Sequence, residues 1–434
     1  VWCQYLALDA TLAQAATELF DTRPRVSSVD AMASVASHVC PEVLRSLPRC
    51  DQRAKGEDYV TGLLKVRGRK SARNMAASMG QSMGREVSEQ NLHHFVNSST
   101  WDWWAVRRDL TAYLTSAYHA AAWVVTPMLI PKAGVHSVGV DRRYCPRAGR
   151  AVNGQLALSV WLAADGFAVP VSWRLHLSQP WLESATKKTK TSIPEDYPLE
   201  SVSGCALSSF QEFLKVARPS KAPVIFDLLG ASGADLTQLF GTLAHQVATT
   251  RVPSDLQLQV VDPAFAGYQG RVLPAAQIVQ ATKGSRRTEQ YVYQGRRHLI
   301  SIAKVQLADP SAVRSRTPLT LVGMTPLDHS RARTELWLTN DPEFSTSSQA
   351  HQVALADHVQ QGYLHLANRM GMQDFAGRSF TGWHRHATLV SIAAAVGCLV
   401  SPGLASEQRA SNLPQLDGEL RVQEPLGILP PVTQ

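Results

Sequence analysis

Cysteine is scarce and scattered in this chain. The six residues Cys3, Cys40, Cys50, Cys145, Cys205 and Cys398 form no CxxC pair and no Cys/His cluster of zinc-finger spacing. Their separation argues against a zinc ribbon or a disulfide framework and predicts the reduced, buried thiols of a cytosolic protein. No glycine-rich loop of the kind that cradles a nucleotide's phosphates is present either. The apolar segment "ATLVSIAAAVGCLV", Ala387 to Val400, is too short and too rich in alanine to cross a bilayer and reads as a core helix. The opening "VWCQYLALDATLAQAA" is interrupted by Asp9 and lacks a basic leader, so an amphipathic helix is expected there rather than a signal peptide. Charge is sparse, at 18% of residues, but it is tilted: the formal net charge is +8 and the pI about 9.2. A basic excess with arginine ahead of lysine suits a polyanionic partner, because the guanidinium fork pairs phosphate and guanine in two-pronged fashion.

What is present falls into regions. From about Val29 to His119 the apolar residues recur at helical spacing, which predicts an all-α N-terminal domain over residues 1–120. Within it a helix from Ser71 to Met79, a turn near Gly80 to Gly84, a helix opened by Ser88 and a Trp-rich helix give a pattern like a helix-turn-helix. From Ala121 the texture changes to strands. "AAWVVT" is one; "GQLALSVWLAADG" and "FAVPVSWRLHL" form a pair turning at Asp165 and Gly166. A lysine-bearing loop, a helix near Leu207 to Val216, the strand "APVIFD", a further loop and helix, and the strand "HQVATTRV" follow. Antiparallel strands followed by helix, strand, helix and strand predict a mixed α/β fold with a ribonuclease H-like core over 121–250. Residues 251–345 read as a β-rich insertion, with a ribbon in "EQYVYQGRRHLISIAKVQL". Core helices close the fold over 346–402, one of them long, from about Ser348 to Met370, and a flexible Pro/Gly/Gln-rich tail occupies 403–434.

Carboxylates are missing where such a core would need them. "VVTPMLIPKAGVHSVGVDRRYC", Val124 to Cys145, has the character of a strand that delivers a residue into an active site, yet it holds no acid before Asp141. Together with "YVTGLLKVRGRKSARNMA", "WDWWAVRRDL", "NGQLALSVWLAADG", "VPVSWRLHL" and "DFAGRSFTGWHRHATLV", it resembles the bacterial insertion-sequence transposases of family seven hundred and one, in order from roughly Val35 to Val400. The resemblance implies a DDE enzyme in which three carboxylates hold two divalent metals for in-line attack on a phosphodiester. The family's first strand carries a run similar to Asp-Asp-Thr-Gly-Phe-Pro-Lys-Lys-Gly. This chain matches it at Pro131, Lys132 and Gly134 but puts Thr126 at the first acid and Pro127 beside it. "VIFDLLG" supplies the second acid as Asp227, and "HVQQGY" puts Gln360 at the third. Neither Thr nor Gln replaces a carboxylate as a magnesium ligand. On these positions the chain is expected not to be an enzyme and to hold no metal or other cofactor, with Asp227 capping the next helix or serving the structure. The alternative is an active transposase with relocated acids, Asp141, Asp227 and Asp357, in which case Mg2+ is the cofactor.

The expected partner is double-stranded DNA at inverted-repeat sites, bound by a homodimer in the cytoplasm and nucleoid, the expected role being that of a domesticated transposase acting as transcriptional regulator; an inhibitory relic that pairs with an intact transposase is the other alternative. Candidate DNA contacts come in groups. Arg67, Arg69, Lys70 and Arg73 flank the helix-turn-helix pattern, whose next helix offers Gln90, Asn91, His93 and His94 to base edges. Lys132, Arg142, Arg143, Arg147 and Arg150 surround the expected mouth of the core, Lys187, Lys188 and Lys190 lie in the lysine-bearing loop, and Arg286, Arg287, Arg296 and Arg297 decorate the ribbon. Arg378 and His384 complete the set; His384 and His386, two apart, point away from one another and suit packing or DNA contact better than a metal. Trp101, Trp103 and Trp104 are expected to anchor the helical domain to the core.

Overall fold

The structure, a computed structural model, describes residues 28–83, 87–145, 149–218, 220–228, 230–265, 267–284, 288–293, 296–308, 318–327 and 334–400. The expected N-terminal amphipathic helix, the tail beyond Pro402, and Cys3, Arg147, Arg286 and Arg287 lie outside the described residues.

Five helices come first: α1 (Ser28–Val43), α2 (Cys50–Lys65), α3 (Ala72–Met83), α4 (Glu89–Asn97) and α5 (Trp103–Ala117). Asp102 caps α5, its carboxylate accepting from the Trp104 amide, and this gives the Trp-rich segment a defined start. The strands read from the sequence appear as β1 (Ala122–Pro131), β3 (Arg150–Ala164) and β4 (Phe167–His176), with Gly166 at φ +70° turning β3 into β4, and an unread strand, β2 (Val140–Cys145), lies between β1 and β3. Beyond them come α6 (Gln179–Leu182), α7 (Ala185–Thr191), α8 (Val202–Ala217), β5 (Val224–Phe226), α9 (Gly233–Thr242) and β6 (Ala248–Arg251). β1 pairs antiparallel with β3 and β3 with β4, whereas β1–β5 and β5–β6 are parallel. This order, β4-β3-β1-β5-β6, is that of a ribonuclease H-like core within a mixed α/β fold.

The β-rich region continues the same sheet. β7 (Gln257–Val260), β8 (Val272–Pro274), α10 (Ala275–Gly284), β9 (Thr288–Tyr293), β10 (Arg296–Leu307), β11 (Leu319–Pro326) and β12 (Glu335–Thr339) follow β6 in sequence. β12 docks antiparallel on β6, β11 on β12 and β10 on β11, so the core strands and the inserted strands share one twelve-stranded sheet. Pairing to β12 satisfies the backbone groups that β6 would otherwise expose at an edge.

The closing helices are α11 (Thr346–His358), a single π-helical turn over Val359–Tyr363, α12 (Leu364–Arg369) and α13 (Phe380–Val400). The long closing helix read from the sequence is therefore interrupted by a π turn. In α13, Phe380 and every residue from Gly382 to Cys398 are buried, as expected of a helix that is apolar on all sides. It lies between β4 and the N-terminal helices: Trp173 of β4 donates its indole N–H to Ser391 at 2.9 Å, and Arg385 reaches the Trp101 carbonyl at 3.1 Å. Trp103 stacks on His384 with ring centroids 5.2 Å apart. Trp101 and Trp103 thus tie the helical region to the core. Cys40, Cys205 and Cys398 are buried as expected, but Cys50 is exposed, because it opens α2 at the surface. No helix among the described residues is long and apolar enough to cross a membrane.

Candidate functional site

The three positions aligned with the acidic trio converge. Register pairs Val125 with Phe226 and Phe226 with Thr250, so Thr126, Asp227 and Arg251 stand at one level across β1, β5 and β6. The Asp227 amide donates to the Val125 carbonyl at 2.9 Å and extends this ladder by one rung. Above the row runs the end of α11, and the π turn carries Gln360 down to Thr126, its amide donating to Thr126 Oγ1 at 2.8 Å. A π turn shifts the side chains that follow it relative to a regular helix, and such turns are frequent at functional sites. Thr126 is fully buried, and its carbonyl accepts from the Ser159 hydroxyl at 2.9 Å.

Asp227 is 4% exposed and does not cap α9; that task falls to Ser232, whose hydroxyl accepts from the Asp235 amide while the Asp235 carboxylate accepts from the Ser232 amide. Asp227 is held instead by Arg251, whose Nε donates to it at 2.7 Å. Arg251 also lies 3.3 Å from Glu335 and 3.6 Å from Asp357, and its guanidinium sits 4.7 Å from the centre of the Trp337 ring. Burial by itself would lower the Arg251 pKa, but Asp227, Glu335 and Asp357 outweigh it and hold the guanidinium above its ordinary value. Sequence reasoning missed Arg251 and Glu335. The only signal for either was a charged residue at the end of an apolar strand, which is common on surfaces. Asp141 is not brought here. It pairs through Gly154 with Pro131, five positions beyond Thr126 and so about 17 Å along the sheet at ~3.3 Å per residue, and its carboxylate binds Arg143 at 3.2 Å.

The candidate DNA contacts separate into exposed and committed groups. The loop between α2 and α3 is tied to the loop before α13, the Lys70 amide donating to Asp374 at 3.0 Å, and that loop is tied in turn to the one between β1 and β2: Ser137 Oγ donates to the Gly377 carbonyl at 3.2 Å and the Val138 amide to the Arg378 carbonyl at 3.2 Å. Arg67, Arg69 and Arg378 are exposed on these joined loops, with Arg73 on the adjacent start of α3. Next to them α4 buries Leu92, Phe95 and Val96 and exposes Gln90, Asn91, His93 and His94. Arg142 and Arg150 are exposed at β2 and β3, and Arg297 at β10, the strand that Arg296 opens.

Three of these candidates are engaged by other parts of the fold. Lys70 is 6% exposed and caps the end of α2, its Nζ donating to the Val66 carbonyl at 2.6 Å, so it is spent inside the fold. Lys132 donates to the carbonyls of Gln373 and Phe375, and burial brings its pKa down to about 8. His384 is buried beside Arg107, which lies 3.2 Å from its Nδ1, and burial pushes its pKa well below the usual value. Of the lysine group, which lies on the helix α7 rather than in a loop, Lys187 sits 4.8 Å over the Trp181 ring, Lys188 pairs with Glu195 at 3.6 Å and Lys190 is exposed. Arg143 is half-buried between Asp141 and His176.

A family model described as DDE superfamily endonuclease matches residues 42–291, more than half of the chain and including β1, β5 and β6. This chain belongs to the DDE superfamily. No curated protein matches it significantly. Membership corrects the expectation that the chain is not an enzyme, since the family is one of endonucleases and points to a nuclease or transposase acting on DNA. The divalent ions that the superfamily implies do not fit the aligned positions as they stand: Thr126 and Gln360 are neutral and bonded to one another, and the Asp227 carboxylate is engaged by a guanidinium. Among the described residues no group of three or more His, Cys, Asp or Glu has a metal-holding arrangement.

Proposed function

We propose that this DDE-superfamily protein is a domesticated relative of the insertion-sequence family seven hundred and one transposases, and that it binds specific inverted-repeat DNA sites as a homodimer and regulates transcription there. The observation that carries the reading is the exposed face of α4, with Gln90, Asn91, His93 and His94 in a row beside Arg67, Arg69 and Arg378 on the laced loops. The amides and imidazoles are of the type that read base edges in a major groove, and the arginines are of the type that fix a helix against phosphates. The α3–α4 pair is the part that would enter DNA in a helix-turn-helix.

Selection of binding sites from a randomised duplex pool tests it. The wild-type chain is expected to enrich a two-fold symmetric sequence. Asn91→Ala is expected to relax one position of each half-site, by about 1–3 kcal/mol of discrimination, whereas Arg67→Ala is expected to weaken all sites alike and lower the salt slope by about one. Enrichment of an unchanged sequence by Asn91→Ala, Gln90→Ala and His94→Ala alike would remove α4 from recognition.

A further inference from the structure

Within the acidic row, the position beside Asp227 is already filled by a cation that belongs to the chain. Arg251 Nε lies 2.7 Å from Asp227 Oδ1, and the same guanidinium faces Glu335 at 3.3 Å and Asp357 at 3.6 Å, so three carboxylates from β5, β12 and α11 converge on one arginine. Trp337, paired in register with Arg251, lies against the guanidinium plane and fixes its direction. On the other side of Asp227 the neighbours are uncharged, Thr126 and Gln360 satisfying one another. Asp227 is nearly inaccessible, and a carboxylate buried to that degree needs a partner charge.

We propose that Arg251 is the resident cation of this site, holding Asp227, Glu335 and Asp357 together through ion pairs. The chain's own arginine makes the site's integrity independent of metal. This role rests on the ion-pair geometry and is independent of which DNA sites the chain recognises.

Melting the full-length protein and titrating it with Mn2+, followed by the paramagnetic resonance of the free ion, tests the proposal in five forms. Wild type is expected to melt at the same temperature in EDTA and in millimolar Mn2+, and to show no binding that Asp227→Asn abolishes. Arg251→Lys, which keeps the charge, is expected to remain indifferent to metal. Arg251→Gln is expected to melt lower, by about 3 °C or more, in EDTA and in Mn2+ alike. If Arg251→Gln does not fold, Arg251→Gln/Asp227→Asn is expected to fold, because the unpaired buried charge is gone. A stoichiometric Mn2+ site in wild type that Asp227→Asn removes would overturn the proposal. So would an Arg251→Gln protein whose lowered melting point is not restored by the second substitution, since Arg251 would then serve only to pack on Trp337.

Discussion

At Thr126 and Gln360 a single hydrogen bond joins two strictly neutral groups inside the fold. Removing one partner strands the other, so Thr126→Val and Gln360→Leu are each expected to cost about 1–2 kcal/mol, while the double variant costs much less than their sum. Urea denaturation of the three variants gives the coupling, and strict additivity would mean that the two do not interact. His386 sets a pH limit of its own. Tyr59 lies 2.9 Å from its Nδ1 and the Gly371 carbonyl 2.9 Å from its Nε2, and burial, helped by Lys132 and opposed by the Gly371 contact, lowers its pKa from 6.5 to about 4. A histidine whose folded pKa is depressed contributes stability that is present above its unfolded value and lost as pH falls through the folded one. Stability is therefore expected to fall between about pH 6.5 and 4, at up to about 1.4 kcal/mol per unit from this group, and His386→Gln should flatten the slope of melting temperature against pH in that window. An identical slope in the variant would assign the loss to other groups.

At the scale of elements, α13 and α4 make opposite demands on the sequence. The α13 helix is buried on every side, so Ala394→Glu places a charge where nothing pairs it and is expected to destabilise the chain by roughly 4 kcal/mol, readable in the denaturation midpoint. The exposed positions of α4 are expected to change DNA preference with little effect on that midpoint. Core strands β1, β3, β4 and β5 were legible because each is a short apolar run bounded by a turn signal, as Asp165 and Gly166 show between β3 and β4. The helix α7 was not, since "ATKKTKT" has no apolar stripe; its one signal is Ser184, whose hydroxyl accepts from the Lys187 amide at 3.3 Å. The π turn was equally hidden, because no residue type marks the place where a helix takes up one extra residue.

For the whole molecule, the structure brings together Thr126 of β1, Asp227 just after β5 and Gln360 of the π turn, three positions far apart in sequence. What stayed illegible was pairing between distant elements. That β12 would dock on β6 and carry Glu335 to Arg251 depends on which strand fills a sheet edge, and no local pattern near Ala248–Arg251 encodes it. The burial of His384 and Lys70 had the same origin, since the N-terminal helices cover α13 and the joined loops cover the end of α2. The claim that binding to particular DNA sites is the chain's function can be tested on its own genome. The purified protein is incubated with sheared genomic DNA and magnesium, bound fragments are recovered across a salt series, and both the fragments and any newly nicked ends are sequenced. A few inverted sites upstream of genes, retained as salt rises, are expected; fragments retained without sequence preference and lost uniformly with salt would contradict the account.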